Sequence, residues 1–111
     1  MAGRARLINL LELKRLVEVI EKRKPRIETE GDRYQAIKRH QARCLDLIEW
    51  LESFEHARFR AHGTETSLRL AGVSASCTMG PAGLLDNWLN AAKRRIADGE
   101  AMLQRGREAG H

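Results

Sequence analysis

Only two of the 111 residues are cysteine, too few for a disulfide framework. Proline is equally scarce, at Pro25 and Pro81, so each is an informative break. No run of eighteen apolar residues is present, which excludes a membrane-spanning helix. Arg4 and Arg6 precede a leucine-rich stretch, but Asn9 and Glu12 interrupt it where a secretory signal would stay apolar, so the chain reads as cytoplasmic. Aromatics are reduced to Tyr34, Trp50, Phe54, Phe59 and Trp88, which leaves few platforms for stacking single-stranded bases. Internal repeats and low-complexity segments are missing. So are GxxxxGK[ST], GxGxxG, CxxC and HxxxH spacings, and no Ser/His/Asp or Cys/His order stands out. The reading is a protein that is not an enzyme and needs no cofactor.

What the chain does have is charge and grouped apolar residues. Charged residues make up 32% and hydrophobic residues 42%. The apolar positions cluster, as in a folded chain and not a disordered tail. The length suits one domain over 1–111. Twenty Lys and Arg face fifteen Asp and Glu, a formal net charge of +5, and fifteen of the twenty are Arg. Arg suits phosphate and carboxylate, although an Arg-rich, Lys-poor composition also follows from codon bias. Residues 1–26 hold eight basic and three acidic residues, so the surplus lies in that segment. Its densest part is Lys22, Arg23, Lys24 and Arg26, and a second cluster contains Lys93 and Arg94 followed by Arg95.

Hydrophobic spacing predicts an all-α fold. A first helix is expected over about 5–24, rich in Leu and Glu and closed by Lys24-Pro25. Thr29 to Asp32 offers an N-cap for a second helix over 32–62, which is free of Gly and Pro and stops at Gly63. These two are expected to pair as an antiparallel hairpin. Residues 63–80 are rich in small and hydroxyl side chains and are expected to form an ordered loop, with a short extended piece at Leu68–Leu70. Pro81 opens a third helix over about 81–105 with a clean stripe of Leu84, Leu85, Trp88, Leu89, Ala92 and Ile96. The tail from about 106 is expected to fray.

Leu70-Ala71-Gly72-Val73-Ser74, followed by Thr78, resembles the turn of a Lac-repressor-type helix-turn-helix. Gly80-Pro81 would fall inside the recognition helix, so Gly72 and Ser74 are read as turn residues. Ser74, Ser76, Thr78 and Gly80 precede the third helix, where capping is the simple reading and an anion site the sharper one. His40 and Cys44 stand one turn apart, with His62 and Cys77 as further donors. A cysteine on an apolar face is usually a small buried hydrophobe, so no metal is expected.

The functional expectation is a small, basic, non-enzymatic interaction protein, a nucleic-acid-associated accessory or regulatory factor. Its contact residues would be Lys22, Arg23, Lys24, Arg26, Lys93 and Arg94. The alternative is an adaptor or inhibitor, of the kind mobile elements encode, that acts on a protein partner. The first helix carries more apolar surface than one neighbour can cover, which predicts a homodimer through Leu7, Ile8 and Leu11.

Overall fold

The computed structural model describes the backbone of residues 2–109 and the side chains of residues 9–106. Three helices form where the apolar spacing is helical. Helix α1 runs Ala2–Arg23, and its last turn closes through the Lys24 amide on the Ile20 carbonyl at 2.7 Å, just before Pro25. Helix α2 runs Arg33–Phe54, and the Asp32 carboxylate caps it by accepting from the Tyr34 amide at 2.9 Å. Helix α3 runs Pro81–Ala109. Its first turn is capped from outside: the Gln41 Oε1 on α2 accepts from the Ala82 amide at 3.0 Å.

The all-α expectation is wrong. Helix α2 stops at Phe54, not at residue 62, and three strands follow: β1 (Arg58–His62), β2 (Glu65–Leu70) and β3 (Val73–Cys77). At the helix end the Leu51 carbonyl accepts from both the Glu55 and Ala57 amides, and His56 takes the left-handed conformation with φ 60. Beyond it the alternation of Arg58, Phe59, Arg60, Ala61 and His62 has a period of two, which suits a half-covered strand. The region expected as a loop over 63–80 continues the sheet, in the antiparallel order β1-β2-β3. Phe59 lies opposite Leu68, and Leu68 opposite Ala75. Gly63 (φ 59) opens the two-residue turn between β1 and β2. Ala71 (φ 52) and Gly72 (φ 77) form the second, with both residues left-handed as a type I′ turn demands. The helix-turn-helix likeness therefore falls on a β-hairpin turn.

Helix α3 organises the core. On one side Leu84, Leu85, Trp88, Leu89 and Ala92 meet Leu68, Leu70 and Val73 from the sheet. The same cluster takes Leu13, Leu16 and Ile20 from α1 and Cys44, Leu47, Ile48 and Leu51 from α2. Burying each such Leu or Ile contributes roughly 1.5–3 kcal/mol. Three hydrogen bonds tie α3 to β3 and its turn: Trp88 Nε1 to the Val73 carbonyl (3.1 Å), Asn87 Nδ2 to the Ser76 carbonyl (2.8 Å) and Arg95 Nη1 to the Gly72 carbonyl (3.0 Å).

The expected hairpin of the first two helices is also revised. Both helices lie on α3. They meet each other through long side chains: Arg23 stacks over Trp50 at 3.9 Å, and Arg15 pairs with Glu55 at 2.6 Å. The end of α1 thus sits beside the far half of α2. The connecting residues 24–32 run back along the start of α2, where Glu28 pairs with Arg39 (2.9 Å) and Arg43 (3.3 Å). Helices α1 and α3 are antiparallel, since Leu10 packs on Gly99 while Lys24 pairs with Asp86. A methyl group at Gly99 would come within 2.7 Å of Leu10 Cδ2, so this glycine sets how closely the two helices approach. Among the described residues no helix is long and apolar enough to cross a membrane.

Candidate functional site

The basic residues expected to bind polyanions are largely neutralised within the fold. Lys22 pairs with Glu18 (3.1 Å), Lys93 with Glu21 (2.6 Å), and Lys24 with Asp86. Arg23 lies on the Trp50 ring, which in turn neighbours Phe54 at 5.5 Å between centroids. Arg26 and Arg94 are exposed and have no acidic partner among the described residues, but they stand on different elements. The two clusters do meet, because Glu21 and Asp86 link the end of α1 to α3. They meet as ion pairs and not as a free cationic surface.

A free cationic surface exists elsewhere, on the sheet. Side chains alternate along strands, so Phe59, Leu68, Leu70, Val73, Ala75 and Cys77 turn toward α3. The register then places Arg58, Arg60, His62, Glu65, Ser67, Arg69, Ser74 and Ser76 on the opposite face. All of these are exposed except Ser67, which is half-covered by its neighbours. Arg58 stands directly opposite Arg69, and Ser74 flanks Arg69 on the other side. Arg60 faces Ser67, which faces Ser76. Among the described residues none of the three arginines forms an ion pair.

Physically this is an unfavourable arrangement for a sheet. Like charges directly across a strand pair are destabilising. Guanidinium groups in such a position supply many unused donors, which fit phosphate or carboxylate oxygens. Hydroxyls of Ser67, Ser74 and Ser76 add neutral donors between them. Sequence reasoning missed this face because it placed 58–62 on a helix and 63–80 in a loop. The available signal was the alternation in Arg58–His62 and Val73–Cys77, punctuated by Gly63 and Ala71-Gly72.

The residues weighed as metal ligands do not converge. His40 Nε2 lies 3.8 Å from Cys44 Sγ, while His62 is at the β1–β2 turn and Cys77 closes β3. Among the described residues no three His, Cys, Asp or Glu side chains are grouped as a metal site. Burial pushes the Cys44 thiol up, so it stays protonated and is a packing residue. His40 Nδ1 is buried with no partner among the described residues. Cys77 Sγ accepts from the Met79 amide at 3.2 Å and abuts Gly83, where a methyl group would come within 2.7 Å of the sulfur. The anion site considered before the third helix is filled by protein: Gln41 takes the Ala82 amide. Of the expected dimer residues, Leu11 is 58% exposed, and the side chains of Leu7 and Ile8 lie outside the described residues. An open groove of about 1260 Å³ runs between α1, α3 and the Ala71-Gly72 turn, lined by Leu10, Leu13, Met102 and Leu103 with Arg94 and Asp98 among the polar residues. Comparison of the chain with protein-family models, with characterised proteins and with solved structures finds no match, so the reading of these surfaces rests on their own chemistry.

Proposed function

We propose that the chain is a small, basic, non-enzymatic factor of the cytoplasm that associates with nucleic acid in an accessory or regulatory role. One observation carries the reading: Arg58, Arg60 and Arg69 share an exposed sheet face and have no acidic partner among the described residues. A fold gains nothing from holding Arg58 against Arg69, whereas a polyanion does. The helical cations form a second, weaker contribution, since an ion pair must open before Lys22, Lys24 or Lys93 can contact phosphate.

The test is fluorescence anisotropy with labelled DNA and RNA, single- and double-stranded, starting near 50 mM salt. Wild type binds, and affinity falls steeply with salt. Replacing Arg58, Arg60 and Arg69 together by Gln lowers affinity and reduces the salt slope by roughly two to three, at about 0.9 per lost phosphate contact. Replacing Lys22, Arg23, Lys24 and Arg26 by Gln has a smaller effect. Absence of binding to every nucleic acid refutes the proposal.

Exposed Leu11, and an apolar groove lined by Leu10, Leu13, Met102 and Leu103, favour a second reading, an adaptor or inhibitor of a protein partner, with self-association through Leu7, Ile8 and Leu11. A homodimer mass in light scattering that reverts to monomer in Leu11→Glu supports it. A monomer at high micromolar concentration removes the self-association.

A further inference from the structure

We infer that the β1–β2 hairpin is a ribbon that enters the major groove of double-stranded DNA, with its arginines on the backbone and its tip on the base edges. This rests on the nucleic-acid reading above and names the form of nucleic acid and the mode of contact.

The shape argument comes first. Arg60 to Glu65 are six consecutive exposed residues, so the end of the hairpin is exposed on both its faces. On β2 that stretch includes Glu65 alone, since Gly63 and Thr64 form the turn and Thr66 already pairs with Cys77 of β3. The free two-stranded end is therefore the His62–Glu65 rung and the turn, roughly 6–7 Å of backbone at about 3.3 Å per residue. Its side chains reach further, and the three-stranded part stops at the rim. The major groove of B-form DNA is about 8.5 Å deep and about 12 Å wide, and it admits a two-stranded ribbon. A two-residue turn at Gly63-Thr64, with Gly63 at φ 59, keeps the leading end narrow. Double-stranded RNA has a deep, narrow major groove that would not admit it.

The chemistry agrees with the shape. The outward face of the sheet carries no aromatic ring: Phe59 turns toward α3 and Trp88 is fully buried. Binding of single strands relies on such rings, because flexible bases need a stacking platform. Exposed Tyr34 and Phe54 belong to α2 and not to this face. Charge is graded along the hairpin. Arg58 and Arg69 form the inner cross-strand pair, Arg60 comes next, and His62 with Glu65 flank the turn. A carboxylate is repelled by phosphates but can accept from the exocyclic amine of cytosine, and Thr64 and His62 can donate or accept at a base edge. Cations at the groove rim and mixed donors and acceptors at its floor are the division that a duplex reader requires.

The experiment compares one sequence of about 20 nucleotides as duplex DNA, single-stranded DNA and duplex RNA, by anisotropy across a salt series. Duplex DNA is expected to bind at least tenfold tighter than either alternative. Arg60→Gln, and Arg58→Gln with Arg69→Gln, weaken binding to all duplex sequences and flatten the salt dependence. Glu65→Gln and His62→Ala change the ranking among duplex sequences and leave the salt slope within one unit. Circular dichroism of each variant shows the unchanged spectrum of the folded chain; a variant that loses it is replaced by the conservative Arg→Lys change, which keeps the charge and loses the fork. Equal binding of single-stranded DNA or duplex RNA overturns the ribbon and leaves the nucleic-acid reading standing. So does duplex binding that ignores every hairpin variant. Loss of all nucleic-acid binding, or displacement of duplex by polyglutamate at equal charge concentration, overturns both.

Discussion

If Arg58 and Arg69 are held for a ligand, the fold is more stable without one of them. The two face each other across the β1–β2 pair, exposed and without acidic partners among the described residues. At roughly 6 Å in water, Coulomb repulsion between two unit charges is about 0.7 kcal/mol. Screening at about 0.1 M salt, with a Debye length near 10 Å, reduces this to a few tenths. Arg69→Thr removes the repulsion and places a residue of good strand propensity in the central strand. The expected gain is about 0.3–0.8 kcal/mol at 10 mM salt and less at 0.5 M salt. Arg58→Thr gains a similar amount, and the double variant gains less than the sum, because the second substitution has no repulsion left to remove. Urea denaturation followed by circular dichroism measures this, at both salt concentrations, with the slope of free energy against urea unchanged. Loss of more than about 0.5 kcal/mol from either single variant would refute the reasoning, since it would mean that the arginines hold the sheet together through their stems or donors.

Trp88 is fully buried and its indole N–H is bonded to the Val73 carbonyl. Trp88→Ala should cost about 3–5 kcal/mol, and Trp88→Phe about 1–2.5 kcal/mol through the lost hydrogen bond and the smaller ring, both read by thermal and urea unfolding. Ala71 sits at φ 52 in the second hairpin turn, so Ala71→Gly should raise stability by roughly 0.5–1 kcal/mol; a loss would mean that the turn is not strained. Buried Cys44 should react with a thiol reagent only on unfolding, while half-buried Cys77 reacts in the native protein. Burial raises the Cys44 thiol above the ordinary 9.0, so the unfolded chain ionises first. Stability should fall as pH rises past 9.0 and be insensitive to this group below it, and Cys44→Ala should remove that part of the dependence.

The starts of α2 and α3 and the end of α1 were legible locally. Asp32 as a cap, Lys24-Pro25 as a stop and Pro81 as an opening residue act within one turn of chain, and the structure places each as expected. The stripe Leu84, Leu85, Trp88, Leu89, Ala92 likewise followed from helical period alone, and it is the centre of the core. Residues 55–77 were decided by partners distant in sequence. Arg58–His62 has no breaker and can be written as helix or strand; Phe59 is drawn into the sheet because Leu68 lies opposite it and α3 covers both. Pairing of β2 with β3 likewise makes strands of serine-rich segments that read as loop when taken singly. The exposed arginine face follows from that pairing, since register alone brings Arg58, Arg60 and Arg69 together. Interactions local in the chain set where α2 and α3 begin, where α1 ends and which helix residues are apolar. The tertiary structure decided the sheet and the three arginines on its open face, because a strand has no stability without the neighbour that completes its hydrogen bonds and the helix that covers its apolar side.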